Sequence, residues 1–337
     1  MADDRLLLQR LHDAILNADR VLLLPHKRPD GDAAGSATAL IAWLEREGKE
    51  VTAFCRDSLP DQLRFLDHVH KLTTDTAIFD RRYDVVIVLD SGDLTYCGVA
   101  DLLPRLPKGY LLADVDHHAI NARYGDLNIV DAGASSTSEI VFRFFEANGI
   151  RIDQAMATSL LAGILFDTSN FSNAATSPAA IAAASSLLAS GARNSDIVRH
   201  MVRDKTVDML KVWGLMLSRL HRDAVQDLAV TYLLEQDLAG GTDEMNAAVT
   251  GGFSNFLNAV TGDVDTVLIL QERPGGKVKG SMRSVTRDVS AVAKRLGGGG
   301  HVKAAAFTVD GRITVTDDGP KIVGKKKRPA SGNGRGA

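Results

Sequence analysis

At 337 residues, 45% of them hydrophobic and 24% charged, the chain is long enough for two packed domains and is too apolar for a disordered polymer. No apolar stretch approaches the roughly 18 residues of a membrane span, and the opening MADDRLLLQRLHDAIL carries acids where an export signal carries bases, so a cytoplasmic protein is expected. Two cysteines, Cys55 and Cys97, exclude a disulfide framework, and the formal charge of -3 conceals a tail, 319–337, whose six basic residues and lack of acids read as a disordered, solvated extension.

In chain order, VLLLP (21–25) reads as a buried strand and the stretch from about Ala33 to Glu47 as a helix. EVTAFC (50–55), DVVIVLD (84–90) and YLLADVD (110–116) read as further strands. Nearly continuous apolar strands alternating with amphipathic helices specify a parallel sheet covered on both faces. Ligands of such sheets collect beyond the carboxyl ends of the strands. After 128–131 the pattern turns helical in SSTSEIVFRFFEANG, DQAMATSLLAGILFDT and SPAAIAAASSLLASG, where Pro178 suits a first helical turn. The charged segment 191–223, with Trp213 and Met216 at core spacing, reads as a helical connector. A second domain is expected over 224–318. It offers a strand at 228–235, a helix near 243–260, a hairpin turning at Pro274, Gly275 and Gly276, a short helix in VSAVAKRLG, four glycines at 297–300 and the strand AAAFTVDG. The expected fold is therefore α/β: a parallel-sheet domain over 1–190, the connector, and a smaller α/β domain.

Four apolar stretches end in acids and histidines. They are His26, Asp30 and Asp32 in HKRPDGD, Asp90 in VVIVLDSGD, Asp116, His117 and His118 in DVDHH, and Asp167 in GILFDT. An aspartate after a strand is more often a cap or turn residue, but here each piece recurs where a parallel sheet gathers residues into one cleft. Imidazole and carboxylate ligate divalent ions such as manganese, and a pair of these ions clamps the attacking and leaving oxygens of a phosphoryl displacement. Without cations, the aspartates at 30, 32, 90 and 167 would repel one another. Pro29 stiffens the first loop and Gly31 permits a tight bend between Asp30 and Asp32, so the two carboxylates can face different ions. The helix beginning over Ala33 to Ser36 is expected to offer free N–H groups to a phosphate. Adjacent His117 and His118 cannot point the same way on an extended chain, so one is a comfortable ligand and the other meets substrate.

In this order, HKRPDGDAAGS, VLDSGD, DVDHH and GILFDTSNF resemble the four motifs of the DHH phosphoesterase superfamily. GSMRS followed by GGGGHVKAAA resembles the DHH-associated C-terminal domain of its stand-alone nano-RNase branch, and the likeness runs from Leu22 to about Thr308. The resemblance implies that Asp90 bridges two divalent ions, best suited to Mn2+, with His26 and Asp30 on one ion and Asp32, His117 and Asp167 on the other. It implies that Asp116 orients an imidazole, that His118 contacts the scissile phosphate, and that the active site lies in the cleft between the domains. On the substrate side it implies Arg283 on an end phosphate, with Ser284, Gly299, Gly300 and His301 around the nucleotide. Between Lys277 and Lys303 seven basic residues stand against one acid, Asp288. One departure is visible, since the family's Ala-Ala-Gly after the histidine is Ala304, Ala305 and Ala306 here, which would narrow the nucleotide pocket.

The expected activity is that of a manganese-dependent phosphoesterase acting on short oligoribonucleotides, on 3'-phosphoadenosine 5'-phosphate, or on both. Cleavage of cyclic or linear dinucleotides is the alternative. The expected partners are short RNA or nucleotides, with no stable duplex, no membrane, and a homodimer left open. A RecJ-type exonuclease would need an oligonucleotide-binding barrel for which no segment remains, and pyrophosphatases carry a different basic motif in the partner domain. A regulator with a dead site is disfavoured because positions 26, 30, 32, 90, 117, 118 and 167 all retain competent residue types.

Overall fold

The computed structural model describes residues 2–173, 175–202, 206–223, 225–238, 252–254, 256–257, 264–316 and 319–324. It divides into two compact units, Met1–Asp204 and Lys205–Ala337.

The first unit is built on six strands: β1 (Arg20–Pro25), β2 (Glu50–Phe54), β3 (Leu72–Thr73), β4 (Val85–Leu89), β5 (Leu111–Asp116) and β6 (Leu127–Val130). All pairings are parallel, in the order β3-β2-β1-β4-β5-β6. The apolar runs are continuous because both faces are buried: Val21, Leu23, Ile87 and Leu89 pack on one side, and Leu22, Leu24, Val86 and Val88 on the other. Each such side chain withdrawn from water contributes about 1.5–3 kcal/mol. The first face is covered by α1 (Ala2–Leu16), α2 (Gly31–Arg46) and, after the short α3 (Leu94–Cys97), by α4 (Thr137–Ala147), α5 (Gln154–Asp167) and α6 (Pro178–Ala189). The opposite face is covered differently. There α3 and single 3₁₀ turns at Thr76–Asp80 and Leu103–Arg105 supply the cover, with Phe79 packed edge-on against Phe54.

Helix α2 lies deepest, with every residue from Gly31 to Leu44 buried. It begins two residues before the expected Ala33 because Asp30 is its N-cap. Where α2 crosses α5 the backbones nearly touch, since a Cβ on Gly35 would collide with the Ser159 carbonyl and lie 3.2 Å from the Gly163 nitrogen. The Thr38 hydroxyl donates to Ser159 Oγ at 2.9 Å along the same crossing.

Three boundaries depart from the sequence reading. Strand β6 falls in a stretch given no strand, because four residues with only two buried side chains leave a weak period-two signal. The connector over 191–223 is shared between the units. The short α7 (Asn194–Ile197) buries Ile197 in the first core, whereas α8 (Val207–Ser218) buries Met216 in the second. The basic tail begins later than 319, because Gly319–Val323 pairs with Arg312–Thr316.

The second unit carries a mixed sheet of β7 (His221–Asp223), β8 (Leu228–Leu233), β9 (Thr266–Arg273), β10 (Lys277–Ser284), β11 (Gly299–His301) and β12 (Ala304–Asp310), in the order β11-β12-β10-β9-β8-β7. Helix α9 (Val289–Arg295) packs Val289 and Ala293 against Met282, Ala305 and Phe307 on one face. Met216, Phe253 and Leu257 cover Val267 and Ile269 on another patch. A hairpin of β13 (Arg312–Thr316) and β14 (Gly319–Val323) completes the unit. Most of the helix expected near 243–260 lies outside the described residues. Among the described residues, no helix is long and apolar enough to cross a membrane.

Candidate active site

The site forms beyond the carboxyl ends of β1, β4 and β5. His26 follows β1 directly and is 3% exposed. Its Nδ1 lies 2.8 Å from the Lys27 carbonyl, which can only accept, so Nδ1 carries the proton and Nε2 is turned to the site. There Nε2 meets Asp30 Oδ2 at 3.6 Å and Asp90 Oδ2 at 3.4 Å. Asp30 divides its labour. Its Oδ1 accepts the Asp32 and Ala33 amides at 3.0 and 3.1 Å, and Oδ2 remains for the site.

That cap corrects two expectations about the loop. The first amides of α2 are taken by Asp30, so this helix end is not an open phosphate cradle. Gly31 is required for close approach and not for a bend: it is the first helical residue, and a Cβ there would lie 2.7 Å from Phe166 Cβ.

Asp32 is wholly buried, and the groups that hold it come from a segment more than a hundred residues away. Its Oδ2 accepts the Thr137 amide at 2.6 Å and its Oδ1 the Ser138 amide at 2.8 Å, the first two residues of α4. The positive end of that helix thus stabilises the carboxylate. The Thr137 hydroxyl donates to Asp90 Oδ1 at 3.2 Å. Behind it, Ser136 Oγ accepts the Glu139 amide and Glu139 Oε2 accepts the Ser135 amide, a variant of the capping box shifted one residue outward that fixes the turn. Thr137, Ser138 and Gly163 are positioning residues that sequence reasoning missed. The Ser-x-x-Glu spacing in SSTSE was the available signal for the first two.

Asp90 sits just past β4 with φ 59, a left-handed conformation that aspartate tolerates better than most residues. Its carboxylate is central. Oδ1 lies 3.5 Å from His117 Nε2 and 3.6 Å from His118 Nδ1, while Oδ2 faces His26. His117 Nε2 also meets Asp167 Oδ2 at 3.0 Å. Both histidines therefore reach the same carboxylate, contrary to the pleat argument. They lie beyond the last residue of β5, where side chains no longer alternate. Asp116, fully buried, accepts both histidine amides and faces His118 Nδ1 at 2.7 Å; Asn121 Nδ2 donates to its other oxygen at 2.7 Å.

Among the described residues, three sets of ligand atoms each lie within 4.8 Å of one another: His26, Asp30 and Asp90; Asp32, His117 and Asp167; and Asp90, His117 and His118. The first two sets have divalent-cation chemistry, one imidazole with two carboxylates each, and they fall on either side of Asp90. In the third, His118 Nδ1 is already engaged by Asp116. The carboxyl groups fit cations for a second reason. Burial and the neighbouring Asp90 and Asp167 charges hold Asp32 well above the ordinary carboxyl range, and burial pushes Asp167 up to about 6, so the cluster is costly until positive charge enters it.

In the absence of cations the imidazoles supply that charge. Burial pulls His26 down, yet Asp30 and Asp90 outweigh it and raise its pKa to about 12; Asp167 and Asp90 do the same for His117. A folded pKa above the unfolded value of 6.5 contributes stability that is complete below pH 6.5 and is lost as pH rises toward about 12. The cation-free protein should therefore melt at falling temperature as pH is raised from about 6.5 to 9, while saturating manganese should flatten the profile. Calorimetry on both forms checks this, and a cation-free Tm that rises over the same interval would refute the pairing.

In the second unit, Arg283 and Ser284 occupy opposite faces of β10 because neighbours on a strand alternate. Arg283 is half-buried, and burial lowers its guanidinium pKa. Ser284 is 2% exposed and its hydroxyl is spent on Thr266 Oγ1 at 3.0 Å and the Arg287 amide at 2.9 Å, so it is a core residue and not a substrate contact. Gly299 and Gly300 pair with Ala306 and Ala305, and a Cβ on Gly300 would lie 2.6 Å from Ala305 Cα. The backbone of His301 pairs with Ala304, and its side chain falls outside the description. A Cβ on Gly299, by contrast, would meet nothing within 4 Å among the described residues.

A profile of the DHH family, N-terminal domain, matches residues 20–164, and a DHHA1 domain profile matches 226–322. The bifunctional oligoribonuclease and PAP phosphatase NrnA of Thermus thermophilus is 31% identical over 300 residues, spanning 86% of this chain and 84% of the relative. The chain belongs to the DHH family. This DHH protein is also 28% identical over 329 residues to the cyclic-di-AMP phosphodiesterase GdpP of Geobacillus thermodenitrificans, a match spanning 90% of the chain and 46% of GdpP. Its fold resembles the crystal structure of an exopolyphosphatase-related protein from Bacteroides fragilis, with TM-score 0.81 at 23% identity and 90% of each chain covered.

Proposed function

We propose that this DHH protein is a phosphoesterase that hydrolyses short oligoribonucleotides to mononucleotides and converts 3'-phosphoadenosine 5'-phosphate to AMP, with manganese as its working ion. The carrying observation is Asp90, whose two oxygens face the two flanking ligand sets. The likeness to NrnA over most of both chains supports the substrate class. Only 46% of GdpP is spanned by its match, which makes cyclic dinucleotides the weaker reading. His26, Asp30 and Asp90 would hold one ion, and Asp32, His117, Asp167 and Asp90 the other. Two divalent cations there would offset phosphoryl charge and align an in-line displacement.

The chain's own groups complete the site. Asp116 raises the pKa of His118, with burial opposing, and so favours its imidazolium form while occupying Nδ1. The remaining Nε2–H is the donor we assign to a phosphoryl oxygen. Asp116 in turn is fixed by Asn121, so the imidazole keeps one orientation. The test is hydrolysis of RNA dinucleotides, longer RNAs, pAp and cyclic dinucleotides with manganese, magnesium or chelator. Highest kcat/KM on short RNA or pAp with manganese is expected. Full activity in chelator, or turnover confined to cyclic dinucleotides, would overturn the reading.

Arg283 is assigned to the substrate's end phosphate. Charge-assisted bonds of this kind are worth about 1.5–3 kcal/mol, so Arg283→Ala should lower kcat/KM on pApA by roughly 10- to 150-fold. ApA, which lacks the end phosphate, should be affected much less. Equal losses on both dinucleotides, strongest at low salt, would instead identify Arg283 as part of a generic basic surface.

A further inference from the structure

Asp114 lies two residues before Asp116 on β5, on the face that Leu112 packs into the core, and it is as fully buried as Asp116. The two carboxyl groups are served very differently. Asp116 accepts the His117 and His118 amides and Asn121 Nδ2, and it faces His118 Nδ1 at 2.7 Å. Asp114 receives one hydrogen bond, from Asn121 Nδ2 to Oδ1 at 3.2 Å, and its Oδ2 meets no donor among the described residues. Tyr124 lies near enough to act on Asp114, but its hydroxyl proton goes to the Ser91 carbonyl at 2.7 Å, so toward Asp114 that oxygen can only accept.

Two buried carboxylates about 7 Å apart on one strand face repel each other, and the donors stabilise only one of them. The charge therefore rests on Asp116. Burial, and then the Asp116 charge, push Asp114 up to about 7 against the pull of Asn121 and Tyr124, so its acid form persists to near-neutral pH. A buried acid with an unserved oxygen destabilises a strand relative to an apolar side chain, and its place on β5 calls for a reason. Asn121 supplies it. The Asn121 amide is held on three sides: Oδ1 accepts the Arg123 amide at 2.6 Å, and the hydrogens of Nδ2 go to Asp116 and Asp114. Without Asp114, the second hydrogen has only the Ser91 carbonyl, 3.4 Å away and already engaged by Tyr124. The amide plane is then free to turn, and the bond that fixes Asp116 turns with it.

We propose that Asp114 is a positioning residue for the reaction, which by anchoring Asn121 holds Asp116 and, through it, the His118 imidazole in the orientation that meets the phosphoryl oxygen. The inference rests on the assignment of His118 as that donor.

Asp114→Val, close in size and suited to a strand, should lower kcat on pAp and short RNA by about 10-fold, with KM and Tm near their wild-type values. Asp114→Asn keeps the acceptor and should recover most of that loss. In a His118→Ala background Asp114→Val should cost nothing further, because the chain of contacts then ends on no donor. A readout independent of turnover is the downfield proton signal of His118 Nδ1–H in the cation-free protein, identified by its absence from His118→Ala. It should be present in the wild type and in Asp114→Asn, and broadened by exchange with water in Asp114→Val. Wild-type kcat and signal in Asp114→Val would overturn the proposal. So would an equal loss of kcat with and without His118, which would make Asp114 a structural residue. Should Asp114→Val fail to fold, Asn121→Ala breaks the same chain and must show the same loss of signal and the same dependence on His118. If the wild type hydrolyses neither pAp nor short RNA, the proposed activity fails, and the proton signal still decides the positioning role.

Discussion

Asp90→Asn should lower hydrolysis by on the order of 10³-fold or more, with the fold intact. The carboxylate faces His26 on one side and His117 on the other, so neutralising it weakens both ligand sets at once. Asparagine is the informative replacement, because it keeps the side-chain shape and accepts the left-handed backbone at φ 59 that alanine would strain. Removing this charge also relieves Asp32 and Asp167, whose pKa values Asp90 raises. It also takes from His26 and His117 the carboxylate that helps hold them charged, so the cation-free variant should melt below the wild type, with a shallower pH dependence. Metal content of the purified variant, turnover and thermal melting together decide the matter. Two tightly held ions with near-normal turnover would remove Asp90 from the centre.

Gly163→Ala should damage stability and activity together, although residue 163 is no ligand. A Cβ at this position would collide with Ser138 Oγ and lie 2.7 Å from Asp32 Oδ1. The α2–α5 crossing leaves little room for retreat, because Gly163 N is itself 3.2 Å from the Cβ position of Gly35. Overpacking of this kind costs about 1–3 kcal/mol. In a unit of this size each kcal/mol shifts Tm by roughly 2–4 °C. Asp32 must move off the Thr137 and Ser138 amides, so affinity for the ion shared with His117 and Asp167 should fall at least about 10-fold, as losses of supporting contacts commonly do. Ser138→Ala in the same background removes one of the colliding atoms and should recover part of the stability. An alanine variant with unchanged Tm and metal affinity would show that the crossing is looser than these distances imply.

The histidines and aspartates of the site were visible in the sequence because each follows an apolar strand or ends an apolar helix. His26, Asp90 and Asp116 needed only the rule that a parallel sheet gathers ligands at its carboxyl edge. The glycine run at 297–300 was visible as a place of close backbone approach, which Gly298 and Gly300 make, while a Cβ on Gly297 or Gly299 would meet no described neighbour. Fine geometry was not legible. Whether Asp30 spends an oxygen on a helix cap, and whether His117 and His118 converge on Asp90, depend on backbone dihedrals at the two or three residues past a strand end. Periodicity carries no information there.

The alternation of buried strands and amphipathic helices, and the chemistry of the imidazole and carboxylate side chains, were determined by the sequence alone, because local burial pattern and side-chain identity are local properties. Tertiary structure decided which groups share a site and which are consumed by the scaffold. Thr137 and Ser138 become supports for Asp32 only because the start of α4 is packed over α2, more than a hundred residues away in the chain. Ser284 was lost from the substrate side by the pleat and register of β9 and β10. Contacts between distant segments depend on how their surfaces fit, and no single segment encodes that fit.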